Sequence, residues 1–429
     1  MPTAVSSDIH ARSTSLPEAA DDTVAQSYGQ ALTRREKLKY VLVLGALVAL
    51  GPFTVDLYLP AFPNVAADLE VSDAAIQLTL TATMIGFALG QLVVGPLSDA
   101  LGRRRPLLIA TAIHIGASFM VAFAPTIDLV MAGRVLQGIG ASGAGVVAMA
   151  MVRDLFAGQR LIRMLANMAL VSGLAPVLAP VIGSQLLTIM PWRGIFYVLA
   201  AYGLVMILVA AFLMVETMPA TRRGRFEVSV VAHRYGHLFK DHAFIGIAIV
   251  GAMSFTALFA YLSASSLVLQ NQFGLTAQQY GLVFAANSVG LVLCNQTSAR
   301  LMRVFPPRSV TMVGLAVQSL GALALLACGL MGTAVGPVLI ALFFVVAPLG
   351  LIGPTVQVTA LQDHAAEAGT ASSLLGALNM GLAGLATPLI GLGGVSVPSM
   401  AYVMIGALTL AQLAFWLIVY PRATSEVVR

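Results

Sequence analysis

Charge is scarce in this sequence: of 429 residues only 10% are Asp, Glu, Lys or Arg, where soluble domains carry about 25%. With 59% hydrophobic residues and a mean hydropathy of +0.91, a water-soluble globular fold is excluded and a polytopic membrane protein is indicated. Cysteine is nearly absent as well. Cys294 and Cys328 both lie in apolar stretches without a neighbouring His or acidic residue, so they read as small core residues, and no metal site is expected. There is no G-x-x-x-x-G-K-[ST] loop, no H-E-x-x-H and no soluble stretch large enough to hold a nucleotide. An enzyme, or a pump driven by ATP, is therefore not expected, and neither is a cofactor.

What is present is long apolar runs. A span needs about 20 mostly apolar residues, and twelve such runs follow one another at 40–62, 76–98, 106–125, 127–151, 162–188, 193–215, 243–268, 277–299, 309–331, 334–359, 369–392 and 396–420. The longest break separates the sixth from the seventh. It divides an all-α membrane chain into two sets of six: residues 40–216 and 243–420, joined by a central loop at 217–242. Residues 1–39 are rich in Ser, Thr, Ala and Asp and lack apolar periodicity, which reads as a disordered tail; residues 421–429 form a short second tail. The first apolar run comes too late and is too long for a cleavable signal, so it reads as a permanent span.

Orientation follows from Lys and Arg, which are enriched in cytoplasmic loops. Of the 23 basic residues, 21 fall in the tails, the central loop and the connections after spans two, four and eight. Only Arg193 falls on the other side, and Arg134 lies inside a span. This asymmetry places both termini in the cytoplasm. The formal charge of +5 is thus a consequence of topology and of attraction to an anionic leaflet, and nucleic acid is not expected as a partner.

Ionisable groups inside spans are rare and usually face a cavity or a partner. Here they reduce to Asp56, in "GPFTVDLYLPAFP" (Gly51 to Pro63), and Arg134, with Asp99 and Glu216 at span edges. At about 1.5 Å per residue, Asp56 and Arg134 each lie roughly 10 Å from the outer ends of spans one and four, so the two could meet at one depth. Desolvation opposes the charge of such a carboxylate and a nearby guanidinium favours it, which is the chemistry of a proton-coupled site. The alternative is a permanent ion pair that pins two helices together.

At the junction of spans two and three stands "GPLSDALGRRRPLL", Gly95 to Leu108. Its glycines permit close approach and a tight turn. Asp99 beside Arg103 and Arg104 can form a charge latch that breaks and reforms as two helix bundles move. The spacing G-x-L-x-D-x-x-G-R-R resembles the signature loop of the major facilitator superfamily. "TVDLYLPAFP" in span one, "RVLQGIGASG" from Arg134, "RD" at Arg153 and Asp154, "ET" at Glu216 and Thr217, and "AGTASSLLG" from Ala368 resemble motifs of its Bcr/CflA branch of drug:proton antiporters, over roughly residues 40–420.

That resemblance implies two six-helix bundles rocking about a midplane cavity. It implies proton and substrate coupling at Asp56 with Arg134 as its functional partner, Gln137 and Gly138 completing the span-four motif, and gating at Gly95, Asp99, Gly102, Arg103 and Arg104. The span-five antiporter motif is only partly present in "LAPVLAPVIGSQ", where Pro176, Pro180 and Gly183 are the helix-bending residues. Ala100 stands where the superfamily often has a basic residue. Tyr58, Gln137, Tyr261, Asn287 and Asn379 are candidates for the cavity wall, while interhelical hydrogen bonding is the ordinary fate of such groups; His114 reads as a packing residue. The expectation is an inner-membrane, proton-coupled antiporter, monomeric, exporting small amphipathic drugs of the phenicol or bicyclomycin kind. An exporter of a metabolite or amino acid and a non-transporting receptor or scaffold are the alternatives.

Overall fold

The computed structural model describes residues 32–219, 221, 223, 228–362, 364 and 368–421, and these are helical with no strand among them. The first half contains α1 (Arg34–Asp56), a 3-10 turn (Leu59–Ala61), α2 (Phe62–Asp68), α3 (Asp73–Leu101), α4 (Arg104–Ala122), α5 (Ile127–Leu155), α6 (Gly158–Leu186) and α7 (Arg193–Leu213). A connecting helix α8 (Val228–Lys240) leads to α9 (His242–Leu267), α10 (Ala277–Leu301), α11 (Pro307–Met331), α12 (Val335–Val346), α13 (Leu349–Gln362), α14 (Ala368–Ala386), α15 (Pro388–Gly391) and α16 (Val397–Ala414). Helix starts are written in the sequence: Thr33 with Glu36, and Thr276 with Gln279, form capping boxes, and the Ser72 hydroxyl accepts from the Ala75 amide.

Counting helices that resume after a break as one, eleven segments among the described residues are long and apolar enough to cross a membrane. The remaining segment, α10, is 25 residues long but carries Gln278, Gln279, Asn287, Asn295 and Gln296. It nevertheless packs in the bundle, against α6 and α13. Within the first half α5 packs on α3 and α4, and α1 on α5 and α6; the second half is built around α9, α11, α13 and α16. The halves meet along two seams, α3 against α14 and α6 against α10.

Backbone contact holds α3 to α5. A Cβ at Gly138 would lie 2.3 Å from the Thr83 carbonyl oxygen, and one at Gly86 would lie 2.1 Å from that of Val135. Only glycine lets two membrane helices approach this closely.

Several sequence expectations are corrected. The first helix starts at Arg34 rather than at residue 40, because the Thr33 capping box sits at the very edge of the expected tail; residues 1–31 and 422–429 lie outside the described residues. The central loop contains α8, whose Leu238 is buried against the second half and whose Tyr235 hydroxyl donates to the Leu92 carbonyl of α3 at 3.5 Å. Its apolar face is short and was hidden by the polar residues around it. Three of the expected spans are interrupted. Pro60 and Pro63 lack the N–H that would bond the carbonyls of Asp56 and Leu59, Pro348 stands between α12 and α13, and Pro388 opens α15 after α14.

Candidate functional site

In the first half, Arg134 of α5 is fully buried. One of its terminal nitrogens donates to the Thr54 carbonyl at 2.9 Å and to Gln137 Oε1 at 2.8 Å. Gln137 Nε2 donates to Ser118 Oγ at 2.7 Å, and that hydroxyl donates to the His114 carbonyl. The ring closes through His114 Nε2, which lies 2.8 Å from Thr54 Oγ1. Because the Thr54 hydroxyl spends its proton on the Leu50 carbonyl at 2.6 Å, the shared hydrogen belongs to His114 Nε2. The guanidinium lies over the rings of Tyr58 and Phe196, 4.9 and 5.9 Å from their centroids, a cation–π cage suited to a charge withdrawn from water. Its Nε and second terminal nitrogen have no hydrogen-bond partner among the described residues.

Asp56 is not part of this ring. It ends α1, is 5% exposed, and no hydrogen bond or ion pair joins its carboxyl to a described residue. The expected meeting with Arg134 does not occur, for a reason of helical phase: Arg134 reaches the chain at Thr54, and a residue two positions on points roughly 200° away. Thr54 faces its own half. Asp56 faces the other, within electrostatic range of Tyr261 and Tyr280. There Asn287 Nδ2 donates to the Tyr261 hydroxyl at 3.0 Å, the Tyr261 ring stacks on Phe284, and Tyr280 shares a hydrogen bond with Ser265.

The candidate residues therefore separate into distinct settings. Tyr261 and Asn287 are hydrogen-bonded to each other, with Asp56 within electrostatic range of Tyr261. Tyr58 is fully buried against Phe62, Phe196 and Arg134, so it belongs to the cage of the first half rather than to a cavity wall, and Gln137 likewise belongs to the Arg134 ring. Asn379 of α14 is half-buried and makes no hydrogen bond to a described residue. Tyr280 was not singled out from sequence, and nothing in its neighbourhood there marks it.

At the end remote from the basic loops, the halves are joined by side chains that reach backbone carbonyls. Ser266 Oγ of α9 donates to the Leu59 carbonyl at 2.6 Å, and Gln270 to that of Pro60 at 3.2 Å. Ser288 Oγ of α10 donates to the Pro176 carbonyl at 3.1 Å, and Gln278 to that of Ser184 at 3.1 Å. Two of these acceptors are created by prolines: Pro63 cannot donate to Leu59, and Pro180 cannot donate to Pro176. Pro176 and Pro180 stay inside continuous α6, where the freed carbonyl docks the opposite half. Gly183 brings α6 onto the break after α1, since a Cβ there would lie 2.2 Å from the Leu57 carbonyl oxygen.

These bonds predict a measurable looseness when removed. Interhelical hydrogen bonds in membranes average about 0.6 kcal/mol each, so Ser266→Ala with Ser288→Ala should shift the closing equilibrium at this end by roughly eightfold. Ala61→Cys, placed in a chain with Cys294 and Cys328 replaced by serine, should then react correspondingly faster with a membrane-impermeant maleimide. An unchanged rate would show that other contacts close this end.

The signature loop forms a clamp at the opposite end. Arg103 is buried, donates to Ser98 Oγ at 2.7 Å and to Asp154 Oδ2 at 2.9 Å, and pairs with Asp99. Glu216, following α7, accepts from the amides of Arg103 and Arg104 at 2.8 and 3.3 Å, a carboxylate at the start of α4 where the helix dipole favours it. Gly102 turns the chain with φ of 86°, and a Cβ there would lie 2.5 Å from Glu216 Oε2. Arg104 reaches the Ala211 carbonyl. The ion-pair partners of Arg103 belong to the first half, and Glu216 also pairs with Arg223 of the central loop at 3.6 Å, so the charge latch expected at this loop is closed on the first half's own residues and the central loop. Among the described residues the second half approaches without an ion pair: Gly95, Asp99 and Arg103 share a cavity of about 250 Å³ with Tyr235, Thr370 and Ser373.

Comparison with known proteins accords with this architecture. The sequence model of the Major Facilitator Superfamily matches residues 42–388. The chain is 31% identical to the uncharacterized MFS-type transporter YdgK of Bacillus subtilis over 90% of its own length and 96% of the relative's. It is 30% identical to the bicyclomycin resistance protein homolog of Haemophilus influenzae, covering 82% and 88% of the two chains. Among solved structures, the D-xylose-proton symporter superposes with a TM-score of 0.70 over 88% of this chain and 97% of the symporter at 14% identity, a likeness of fold.

Proposed function

The chain belongs to the major facilitator superfamily, and from that premise we propose that it is a proton-coupled antiporter that exports small amphipathic drugs of the phenicol or bicyclomycin kind. As a transporter of this superfamily it is embedded in the membrane and moves small molecules; the proton, the direction and the drug class are the proposal. The observation that carries it is Asp56, a buried carboxyl with no hydrogen-bond or ion-pair partner among the described residues, at the junction of two halves. A bare carboxylate in such a place costs several kcal/mol, so a proton accompanies closure around it and leaves when water or a bound polar drug replaces the lost solvation. That exchange is antiport. Relatives named for bicyclomycin and multidrug resistance support the substrate class.

In this reading the basic end faces the cytoplasm of a bacterial inner membrane, with both termini on that side, and the protein acts as a monomer. Tyr261, Asn287 and Asn379 contribute polar groups to the drug path, while the Arg134 ring keeps a fixed positive charge near it. The test uses protein in liposomes with an internal pH dye and an imposed proton gradient. At least one of a panel including chloramphenicol and bicyclomycin should drive proton movement. If only amino acids or metabolites did so, the substrate class would change; if no compound did, proton antiport would be wrong.

A further inference from the structure

Away from Asp56, α1 and α6 begin side by side. Between them is a cavity of about 910 Å³ whose polar end is lined by Arg34, Arg35, Lys37, Arg160 and Arg163. None of these five cations makes an ion pair with a described residue. Glu36, the acidic residue in the first turn of α1, is held by the Thr33 amide at 2.7 Å and by the Thr33 hydroxyl; its single negative charge offsets at most one of the five, and the group stays strongly cationic. Two helix N-termini, at Arg34 and Gly158, add partial positive charge to the same place.

Apart from Asn167, the rest of the wall is apolar. Leu38, Leu42 and Leu170 line it and are all more than half exposed. In both helices the cations come first and the apolar wall follows within about two turns, because each helix advances about 1.5 Å per residue in the same direction away from the basic end. The cavity is therefore cationic at its mouth and greasy along its depth. A soluble anion would use only the first part. A phospholipid uses both, with its phosphate among the guanidiniums and its acyl chains along the leucines.

We propose that this cleft is a binding site for an anionic phospholipid. Its occupant supplies the counter-charge that the protein does not, and it ties the start of α1 to the start of α6. Interfacial cations in general attract an anionic leaflet loosely; a walled cleft with five of them selects and retains one lipid.

The experiment uses the full chain in nanodiscs of zwitterionic lipid doped with a photoreactive phosphatidylglycerol or phosphatidylethanolamine. Cross-linking to peptides spanning 34–42 and 160–171 should favour the anionic lipid by roughly tenfold or more, as several unneutralised interfacial cations demand. The Arg34→Gln, Arg35→Gln, Arg160→Gln, Arg163→Gln variant should lose that preference, while Arg300→Gln with Arg303→Gln, in the other half, should keep it. Equal labelling by the two lipids, or labelling of the unaltered protein only elsewhere, overturns the proposal even if the fourfold variant fails to fold. So does loss of labelling with inorganic phosphate at millimolar concentration, which would make the site one for soluble anions. If removal of residues 2–31, with Asp8, Glu18, Asp21 and Asp22, were required before any lipid cross-linked, the tail and not lipid would be the occupant.

Discussion

Asp56→Asn is expected to abolish drug-driven proton movement, to the level of empty liposomes, while leaving the protein as stable as its parent. The two halves of that expectation come from the same fact. Removing one member of a buried ion pair costs about 3–5 kcal/mol because the other charge is left behind, but the Asp56 carboxyl has no bonded partner among the described residues, and asparagine nearly copies its shape. Stability should therefore change by no more than about 1 kcal/mol, the range of substitutions that break no named interaction. Transport has no such tolerance, since an amide cannot exchange a proton at working pH. Asp56→Glu, which keeps the exchangeable proton on a longer arm, should retain measurable flux. A large loss of stability in the asparagine variant would reveal a partner for Asp56 on which the fold depends; undiminished proton movement would place coupling at another residue.

The apolar runs made the helices legible, since a run of some 20 such residues has few other uses. Their interruptions were not legible, because proline alone does not decide them. Pro52, Pro96, Pro176, Pro180 and Pro354 lie inside continuous helices, whereas Pro60, Pro348 and Pro388 stand at breaks. In a membrane, what matters is whether neighbours satisfy the freed carbonyl, and the neighbour is supplied by distant sequence: Ser288 serves Pro176 across 112 positions. The site shows the same division. Asp56 and Arg134 stood out as the ionisable groups within the spans, and their depths were computable from helix rise. Depth does not give phase. The two-residue step from Thr54 to Asp56 carries the carboxyl to the opposite face, and only the packed structure shows which face meets Arg134. Likewise the signature loop announced Arg103, while its strongest partners, Asp154 and Glu216, lie 51 and 113 positions further on.

Arg103→Gln should be the most destabilising single change in the clamp, and the asymmetry among its partners gives the prediction its edge. Arg103 is itself buried, Asp154 is mostly buried with a side chain 18% exposed, and Asp99 is 62% exposed. Burial works against the arginine's charge, but the hydrogen bond and charge of Asp154, reinforced by Asp99, hold its pKa above the ordinary arginine value. Among the described residues, loss of the guanidinium leaves Asp154 with the Thr217 hydroxyl at 2.9 Å as its side-chain hydrogen-bond partner and the charge of Arg153 nearby, a cost of about 3 kcal/mol for a largely buried pair. Asp99→Asn, by contrast, removes the solvent-screened member and should cost less than about 1 kcal/mol. The pH dependence follows from sign. A raised arginine pKa contributes stability fully below the unfolded value and loses it only as pH rises through the still higher folded value, so the gap between parent and Arg103→Gln should stay flat from about pH 6 to 9. Thermal unfolding of both proteins across that range is the measurement; a gap that closes within it, or an Asp99→Asn loss as large as that of Arg103→Gln, would overturn the assignment of Asp154 as the main partner. Because the clamp ties the α3–α4 turn to the ends of α5 and α7 within one half, the variant should lose transport through a loosened bundle. The bonds between halves at the far end, those of Ser266 and Ser288, are untouched by it.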